Sequence, residues 1–437
     1  MSDDSKVRQR KGVEEISPKA GTTGSSSKNP QTPWQSRLRK RPPTCWEQFG
    51  KYFWWLLYLG ILIIIIGIVV VLRMDSPIKP RFLQLPTPRP LTGALEPNNV
   101  LQKAKRLFEG EIIGPESLVL LEGKIYTGTY DGKIVRLEND NKLTVIAKLG
   151  EEPCGTPENE HTCGRPLGLQ VSEHGTLYVI DAYLGVYEVN VTGEFTQLVP
   201  ASRTYMGHSI RFGNDVTRLP GGDFFFTDSD FKWERREFPY IMIETSPNGR
   251  LMWFNPKTRF SNVALFDLYF PNGIQISPDQ QFMLICESSA YRILKYYLKG
   301  DKMGQTEIFA DNLPKVPDNI RLSKNGGYWV ALSGPVRSAE DLLTLSDFMG
   351  RRPWLRKQIA KLFSPHFLLQ YLPKHGMIIE LSKDGEIIRS FHDPTGEVID
   401  SVSEVLDTGD ALYLGSYKAP YLAKLNYKDI PAKVVGQ

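Results

Sequence analysis

The chain has 437 residues, 41% of them hydrophobic and 23% charged, with a formal net charge of +4 at neutral pH. That length accommodates one large or two ordinary domains with something attached, and so small a positive excess argues against a nucleic-acid partner. The six histidines show no spacing that suggests a zinc site.

The positive charge is concentrated at the start, where residues 1–51 hold eleven Lys or Arg against five acids. Polar runs and scattered prolines leave this segment without apolar periodicity, so it reads as a disordered cytosolic tail. Its basic run Arg37-Leu38-Arg39-Lys40-Arg41 is either a contact for anionic headgroups or a topology signal. Residues 52–72, from Tyr52 to Leu72, form an uncharged run rich in Leu, Ile and Val, long enough to span a hydrocarbon core. Trp54 and Trp55 lie near its start, at interface depth. The run sits too far from the N-terminus for a removable signal peptide and reads as a signal-anchor. Basic residues before it outnumber those just after. The orientation expected is therefore single-pass type II, with the C-terminal bulk lumenal or extracellular, at the plasma membrane or endoplasmic reticulum. Cys45, just cytosolic of the run, is a candidate palmitoylation site.

Residues 73–100 are rich in proline and read as a semi-rigid spacer. A short helical stretch is expected around residues 102–108. From residue 101 the chain repeats one pattern: a polar or Gly/Pro marker, an alternating strand, a turn, then a second apolar strand. The markers are Glu116, Pro166, Asn214, Asn272, Asn319 and Glu404. The steps between them are about 50, 48, 58, 47 and 85 residues, near the roughly 40–50 of propeller blades. Only the last step is long, and it holds a segment of helical composition. Six such units predict an all-β fold, a six-bladed β-propeller over residues 101–437, because radial repetition protects strand edges.

In that geometry each marker opens an innermost strand, so Glu116, Asn214, Asn272, Asp318 and Asn319 converge at one end of the central channel. Two carboxylates and three amide oxygens make a hard, all-oxygen set of formal charge minus two, suited to Ca2+. The alternative is that Asn-Gly and Asp-Asn are ordinary turn chemistry.

Cys154 and Cys163 are separated by a short polar loop, and a close pair in a lumenal segment suggests a disulfide. Cys286 falls in an apolar strand and reads as a small buried hydrophobe. Asn190-Val191-Thr192 is an N-glycosylation sequon in an expected turn. The insertion, about residues 334–376, places Leu355, Ile359, Leu362 and Phe363 on one helical face, with Arg356, Lys357 and Lys361 elsewhere. That amphipathic basic helix is expected to be a lid over the channel or a lipid-contacting element, the alternative being a helix packed on the rim.

Several of these segments together carry a family resemblance: Gly114-Pro115-Glu116-Ser117, Cys163-Gly164-Arg165-Pro166-Leu167-Gly168, Phe226-Thr227-Asp228-Ser229, Phe270-Pro271-Asn272-Gly273, Pro317-Asp318-Asn319-Ile320 and His392-Asp393-Pro394. The chain resembles the strictosidine-synthase-like branch of the calcium-dependent propellers, related to paraoxonases and gluconolactonases, over residues 76–421. The resemblance implies a disulfide before Gly164-Arg165-Pro166. It also implies a histidine base in the segment aligned with Pro166-Leu167-Gly168, where this chain has Leu167. That leaves His208, a few residues before Asn214, or a carboxylate as base. A second calcium in paraoxonases uses an acid directly after the glutamate; here that position is Ser117, although Asp215 is retained. Strictosidine synthases use a late glutamate near the position of Glu404.

No Gly-x-Ser-x-Gly element, phosphate loop or dinucleotide fingerprint is present, so chemistry would rest on the metal, which can polarise an ester carbonyl. The expectation is a membrane-anchored hydrolase of small aryl esters or lactones. The alternative is a non-catalytic propeller that binds a protein or lipid and keeps calcium for rigidity.

Overall fold

The computed structural model describes residues 44–138, 142–338, 345–370 and 374–431. The chain divides into two compact units, Met1–Gly67 and Ile68–Gln437. The N-terminal tail, as far as residue 43, lies outside the described residues.

One helix, Cys45–Arg73, contains the whole apolar run and has a mean hydropathy of 3.1 over its most apolar 18 residues, long and apolar enough to cross a membrane. It starts where it does because of a capping box. Thr44 Oγ1 accepts from Glu47 N at 3.3 Å, and Glu47 Oε2 accepts from Thr44 N at 2.8 Å.

The second unit is a six-bladed β-propeller of four-stranded antiparallel blades. The innermost strands are Leu118–Leu121, Pro166–Val171, Gly213–Arg218, Pro271–Ile276, Val316–Leu322 and Val402–Asp407, and each touches the next in a closed ring. All six sequence markers stand at or just before these strands. Blades one to five are built from consecutive strands. The sixth takes its outer strand, Lys105–Leu107, from the beginning of the domain, where it pairs with Leu422–Asn426. The helical stretch expected at residues 102–108 is therefore a single short turn, Leu101–Lys103, followed by that closing strand. Three residues of strand carry too little period to read, and pairing with the last blade overrides their local preference.

Five of the six innermost strands are bulged near their starts, at Pro166/Leu169, Gly213/Val216, Pro271/Ile274, Pro317/Ile320 and Val402/Glu404. A bulge breaks the strict inward–outward alternation and re-aims side chains. Asn272-Gly273 thus lies inside a strand and not in a turn. Gly273 is needed for close approach: a Cβ there would come within 2.5 Å of Asn319 Cα on the neighbouring strand. Between blades, hydroxyls of the second strands bond to the next blade's first strand. Thr227 Oγ1 donates to Asn272 O at 2.9 Å, and Ser229 Oγ to Pro271 O at 2.7 Å. The Phe226-Thr227-Asp228-Ser229 segment is therefore the seam between blades three and four.

The insertion leaves blade five after the strand Tyr328–Ser333 and returns at Gly376–Leu381, forming helices Leu345–Gly350, Pro353–Leu362 and Pro365–Leu369. The face that periodicity suggests on its middle helix is covered only in part: Leu355, Ile359 and Phe363 are half-buried and Leu362 is 55% exposed, whereas Arg356, expected off that face, is 1% exposed. The reason is local: Arg356 donates to the carbonyls of Ile243 and Glu244, to Thr245 Oγ1 at 2.6 Å, to Gly350 O at 3.1 Å and to Arg81 O. Several carbonyl dipoles aimed at one guanidinium replace its hydration.

The proline-rich stretch is docked on the propeller instead of spanning free. Ile78, Leu85 and Leu95 are buried, and backbone or side-chain bonds hold it at Lys79, Arg81, Leu83, Pro86, Thr87 and Asn98.

Candidate functional site

Glu116, just before the first innermost strand, and Asn214, Asn272, Asp318 and Asn319, on bulged strands, come together at one end of the channel, all of them at most 6% exposed. Their amide nitrogens are used within the ring of strands. Asn214 Nδ2 donates to Ser229 Oγ at 3.0 Å, Asn272 Nδ2 to Asp318 Oδ1 at 2.8 Å, and Asn319 Nδ2 to Glu116 Oε1 at 3.1 Å. Each amide is thereby turned so that its oxygen is left over. Glu116 Oε2, Asn214 Oδ1, Asn272 Oδ1 and Asn319 Oδ1 are buried without a hydrogen-bond partner. An acceptor left bare in a protein interior is destabilising by roughly 1–3 kcal/mol, so four in one place call for a donor or a cation.

The charges agree. Glu116, Asp318, Asp215 and Glu404 are four buried carboxylates that act on one another, with Arg165 and Arg321 as the guanidiniums among them. Those six groups carry a formal charge of minus two. Burial and the neighbouring Asp318 and Glu404 hold the Glu116 carboxyl well above the usual range. Burial likewise raises Asp318 to about 7. Among the described residues no group of three His, Cys, Asp or Glu side chains is arranged to hold a metal, so a cation here would depend on the amide oxygens. A divalent, oxygen-seeking ion suits this donor set and balances its charge.

One step further along the same strands the channel is closed by a residue that the sequence reading missed. Arg321 bonds both oxygens of Asp215, at 2.8 and 3.0 Å, Glu404 Oε2 at 2.8 Å and Ser117 Oγ at 3.2 Å. Burial alone would lower the Arg321 pKa, but Asp215 and Glu404 outweigh it and raise it. Burial raises Glu404 to about 7 against the pull of Arg321. Glu404 is thus ion-paired in the channel and does not line the cavity described next. His208 is elsewhere again. It is exposed on a hairpin, where its ring stacks on Phe231 at 4.2 Å.

Glu116, Asn214, Asn272 and Asp318 form the floor of a cavity of about 300 Å³. Its walls are largely apolar, including Leu167, Phe212, Phe270 and Val316 from the blades. The roof consists of the helix Phe238–Glu244, the insertion through Met349, Ile359, Leu368 and Leu369, and Leu83 and Leu85 from the docked stretch. Leu167 lines this cavity, so the position where the family resemblance implies a histidine does face the floor. Cys154 and Cys163 form a disulfide with Cα atoms 5.1 Å apart, and Cys286 is buried. Asn190 caps a turn, its Oδ1 accepting from the backbone of Thr192 and Glu194.

The closed ring of six four-stranded blades makes this unit a six-bladed β-propeller protein, with the cavity at one mouth of its channel. Residues 214–301 match the strictosidine synthase family, and residues 93–137 match its strictosidine synthase-like N-terminal region. A gluconolactonase from Xanthomonas campestris superimposes with a TM-score of 0.51 at 16% identity, covering 81% of this chain and 98% of its own, a likeness of fold. Adipocyte plasma membrane-associated protein of Gallus gallus is 44% identical over 82% of this chain and 86% of its own. The Danio rerio protein of that name is 45% identical over 83% and 87%. The chain belongs to the adipocyte plasma membrane-associated protein family, within the strictosidine-synthase-like proteins.

Proposed function

We propose that the chain is a membrane-anchored, calcium-dependent hydrolase of small aryl esters or lactones. The observation that carries this reading is the set of unpaired, buried oxygens of Glu116, Asn214 and Asn272, with Asp318 beside them, at the floor of a roofed apolar cavity, and a fourth on Asn319, whose amide bonds Glu116. Glu116, Asn214, Asn272, Asp318 and Asn319 would hold the calcium. When bound, the ion supplies an electrophile that polarises the ester carbonyl and stabilises the developing oxyanion. The apolar walls take the acyl or aryl body of the substrate, while the roof excludes bulk water. Glu116 and Asp318 line the cavity, whereas His208 and Glu404 do not, so of these four only those two carboxylates lie where they could accept the proton of an attacking water.

The apolar helix would anchor the chain with its N-terminus cytosolic and the propeller lumenal or extracellular, Asn190 carrying a glycan on that side. The exposed Trp354 and Leu362, with the basic residues Lys357 and Lys361 of the same helix, would let the insertion touch lipid. A second reading, a non-catalytic propeller with structural calcium that binds a protein or lipid, is favoured by one observation: Leu167 puts an aliphatic side chain where a base would face the floor.

The deciding experiment uses the full chain purified in mild detergent, assayed on phenyl acetate with and without a calcium chelator, alongside metal analysis. Chelator-sensitive hydrolysis restored by calcium is expected. Calcium in the protein without hydrolysis would shift the assignment to the binding propeller, and absence of calcium from the purified chain would overturn the metal site.

A further inference from the structure

Residues 78–86 precede the propeller in sequence, yet they lie across the mouth of its cavity. Their backbone is fastened like a strand along the roof. Lys79 N donates to Glu244 Oε1 at 2.8 Å, Arg81 N to Glu244 O at 3.3 Å, and Leu83 N to Gly350 O at 3.0 Å. The Pro86 carbonyl then accepts from Arg337 at 3.0 Å. This alternation sends the side chains of Leu83 and Leu85 to the cavity side, where both line it.

The fit is close. A Cβ at Gly350 would stand 2.7 Å from Leu83 O, so the insertion can meet this stretch only with a glycine there. Ile78 is 1% exposed, packed in one cluster with Leu167, Phe212 and Phe270, which line the cavity from the blades. Leu85 is packed with Tyr291 and Val316, with Leu83 and Met242 beside them. The buried Arg356 joins the three parts of the roof through Arg81 O, Gly350 O and the carbonyls of Ile243 and Glu244.

We propose that this strap is a wall of the ligand cavity and that Leu83 and Leu85 set the length of acyl chain the cavity accepts. The inference rests on the reading of the cavity as the site of ester hydrolysis. One methylene more or less against a hydrophobic pocket wall discriminates substrates by roughly 10–200-fold.

The test uses the full chain in detergent with two probes: kcat/KM for phenyl hexanoate relative to phenyl acetate, and fluorescence titration with 1-anilinonaphthalene-8-sulfonate, which reports cavity binding without catalysis. Leu83→Ala combined with Leu85→Ala is expected to raise the hexanoate-to-acetate ratio at least tenfold. Leu83→Trp is expected to lower that ratio and to weaken dye binding at least tenfold. Far-ultraviolet circular dichroism and the melting temperature of each variant serve as the folding control. Wild-type ester preference and dye affinity in folded Leu83→Trp or the double alanine variant overturn the inference, even where chelator still abolishes hydrolysis. A wild type that cleaves neither ester while Leu83→Trp weakens dye binding leaves the wall standing and removes the hydrolase reading. A wild type that neither binds dye nor cleaves ester overturns both.

Discussion

Asn214 and Asp215 are neighbours on one bulged strand, and they meet opposite fates. Asp215 is bonded by Arg321 through both oxygens, by Ile274 N at 2.8 Å and, at its own backbone nitrogen, to Thr227 Oγ1. Asn214 keeps an oxygen that nothing approaches. The same contrast separates the layers to which they belong: Asp215, Glu404 and Ser117 around Arg321 are closed by a cation that bonds them directly, while Arg165 acts on Glu116 without a bond to it, its guanidinium donating to the carbonyls of Gly114 and Tyr417. A layer closed by a side chain needs no ligand from outside to hold the blades together. A layer left short of positive charge has its affinity for something that must arrive from outside.

Breaking the closed layer should have the largest effect. Arg321→Met leaves two buried carboxylates facing each other without compensation, a change expected to destabilise by about 3–5 kcal/mol. Denaturation of the detergent-solubilised chain measures it. Adding Asp215→Asn and Glu404→Gln to the same variant should return much of the loss. No recovery would mean that Arg321 acts through packing.

The open layer should respond in metal affinity instead. Asp318→Ala removes one of the two carboxylates proposed to hold calcium and is expected to weaken calcium binding roughly a hundredfold, about 2.7 kcal/mol, with the proposed esterase activity falling in parallel. Calcium titration and far-ultraviolet circular dichroism together separate this from unfolding. An unchanged calcium affinity would show that the two layers do not differ as argued.

Two histidines of blade five sharpen the comparison: His392 is buried on the outer strand Ile387–Asp393, and His375, half-buried, stands just before the strand Gly376–Leu381 with Asp393 as its nearby opposite charge. His392 Nδ1 lies 3.2 Å from His375 Nε2, and His392 Nε2 lies 2.8 Å from Ser390 Oγ. Burial lowers His392 to about 3 and His375 to about 4. Both rings are therefore neutral in the folded chain, and the unfolded chain binds more protons between those values and the ordinary 6.5. Stability is full above pH 6.5 and is lost as pH falls toward 4, by of order 2 kcal/mol at pH 5 from His392. His392→Gln should flatten that part of a plot of stability against pH. A slope left unchanged assigns acid sensitivity to the channel carboxyls.

The smallest effect is expected from Asn272→Ala. It removes a neutral oxygen and also a donor to Asp318, so calcium affinity should fall roughly tenfold, about 1.4 kcal/mol, less than for Asp318→Ala. Reversal of that order would mean that the amide orients the site more than the carboxylate charges it.

The markers that placed Glu116, Asn214, Asn272 and Asn319 at the innermost strands were legible because each stands beside a strand-and-turn unit with its own period. The bulge itself was not legible, and turn chemistry stayed open as the alternative for Asn-Gly because glycine's close approach to a neighbouring strand leaves the same residue pattern as a turn. Arg321 falls two residues after Asn319 in an apolar strand, where nothing local separates a channel-plugging arginine from a solvent-facing one. Arg356 misled the helical reading for a related reason: its burial depends on carbonyls contributed by residues 81, 243 and 244, distant in sequence. The proline-rich composition of residues 73–100 reads as a spacer, but composition does not say what such a segment lies against.

The strand Lys105–Leu107 belongs to the last blade and is made first. During synthesis it leaves the ribosome well before its partner Leu422–Asn426, and until that partner emerges the ring stays open with strand edges exposed at both ends. The pairing spans almost the whole domain, a contact of high sequence separation that forms late and slowly. A truncation that removes the C-terminal strands would therefore strand the first segment as well, and protection of Arg106 and Leu107 amides from hydrogen exchange would report that the circle has closed.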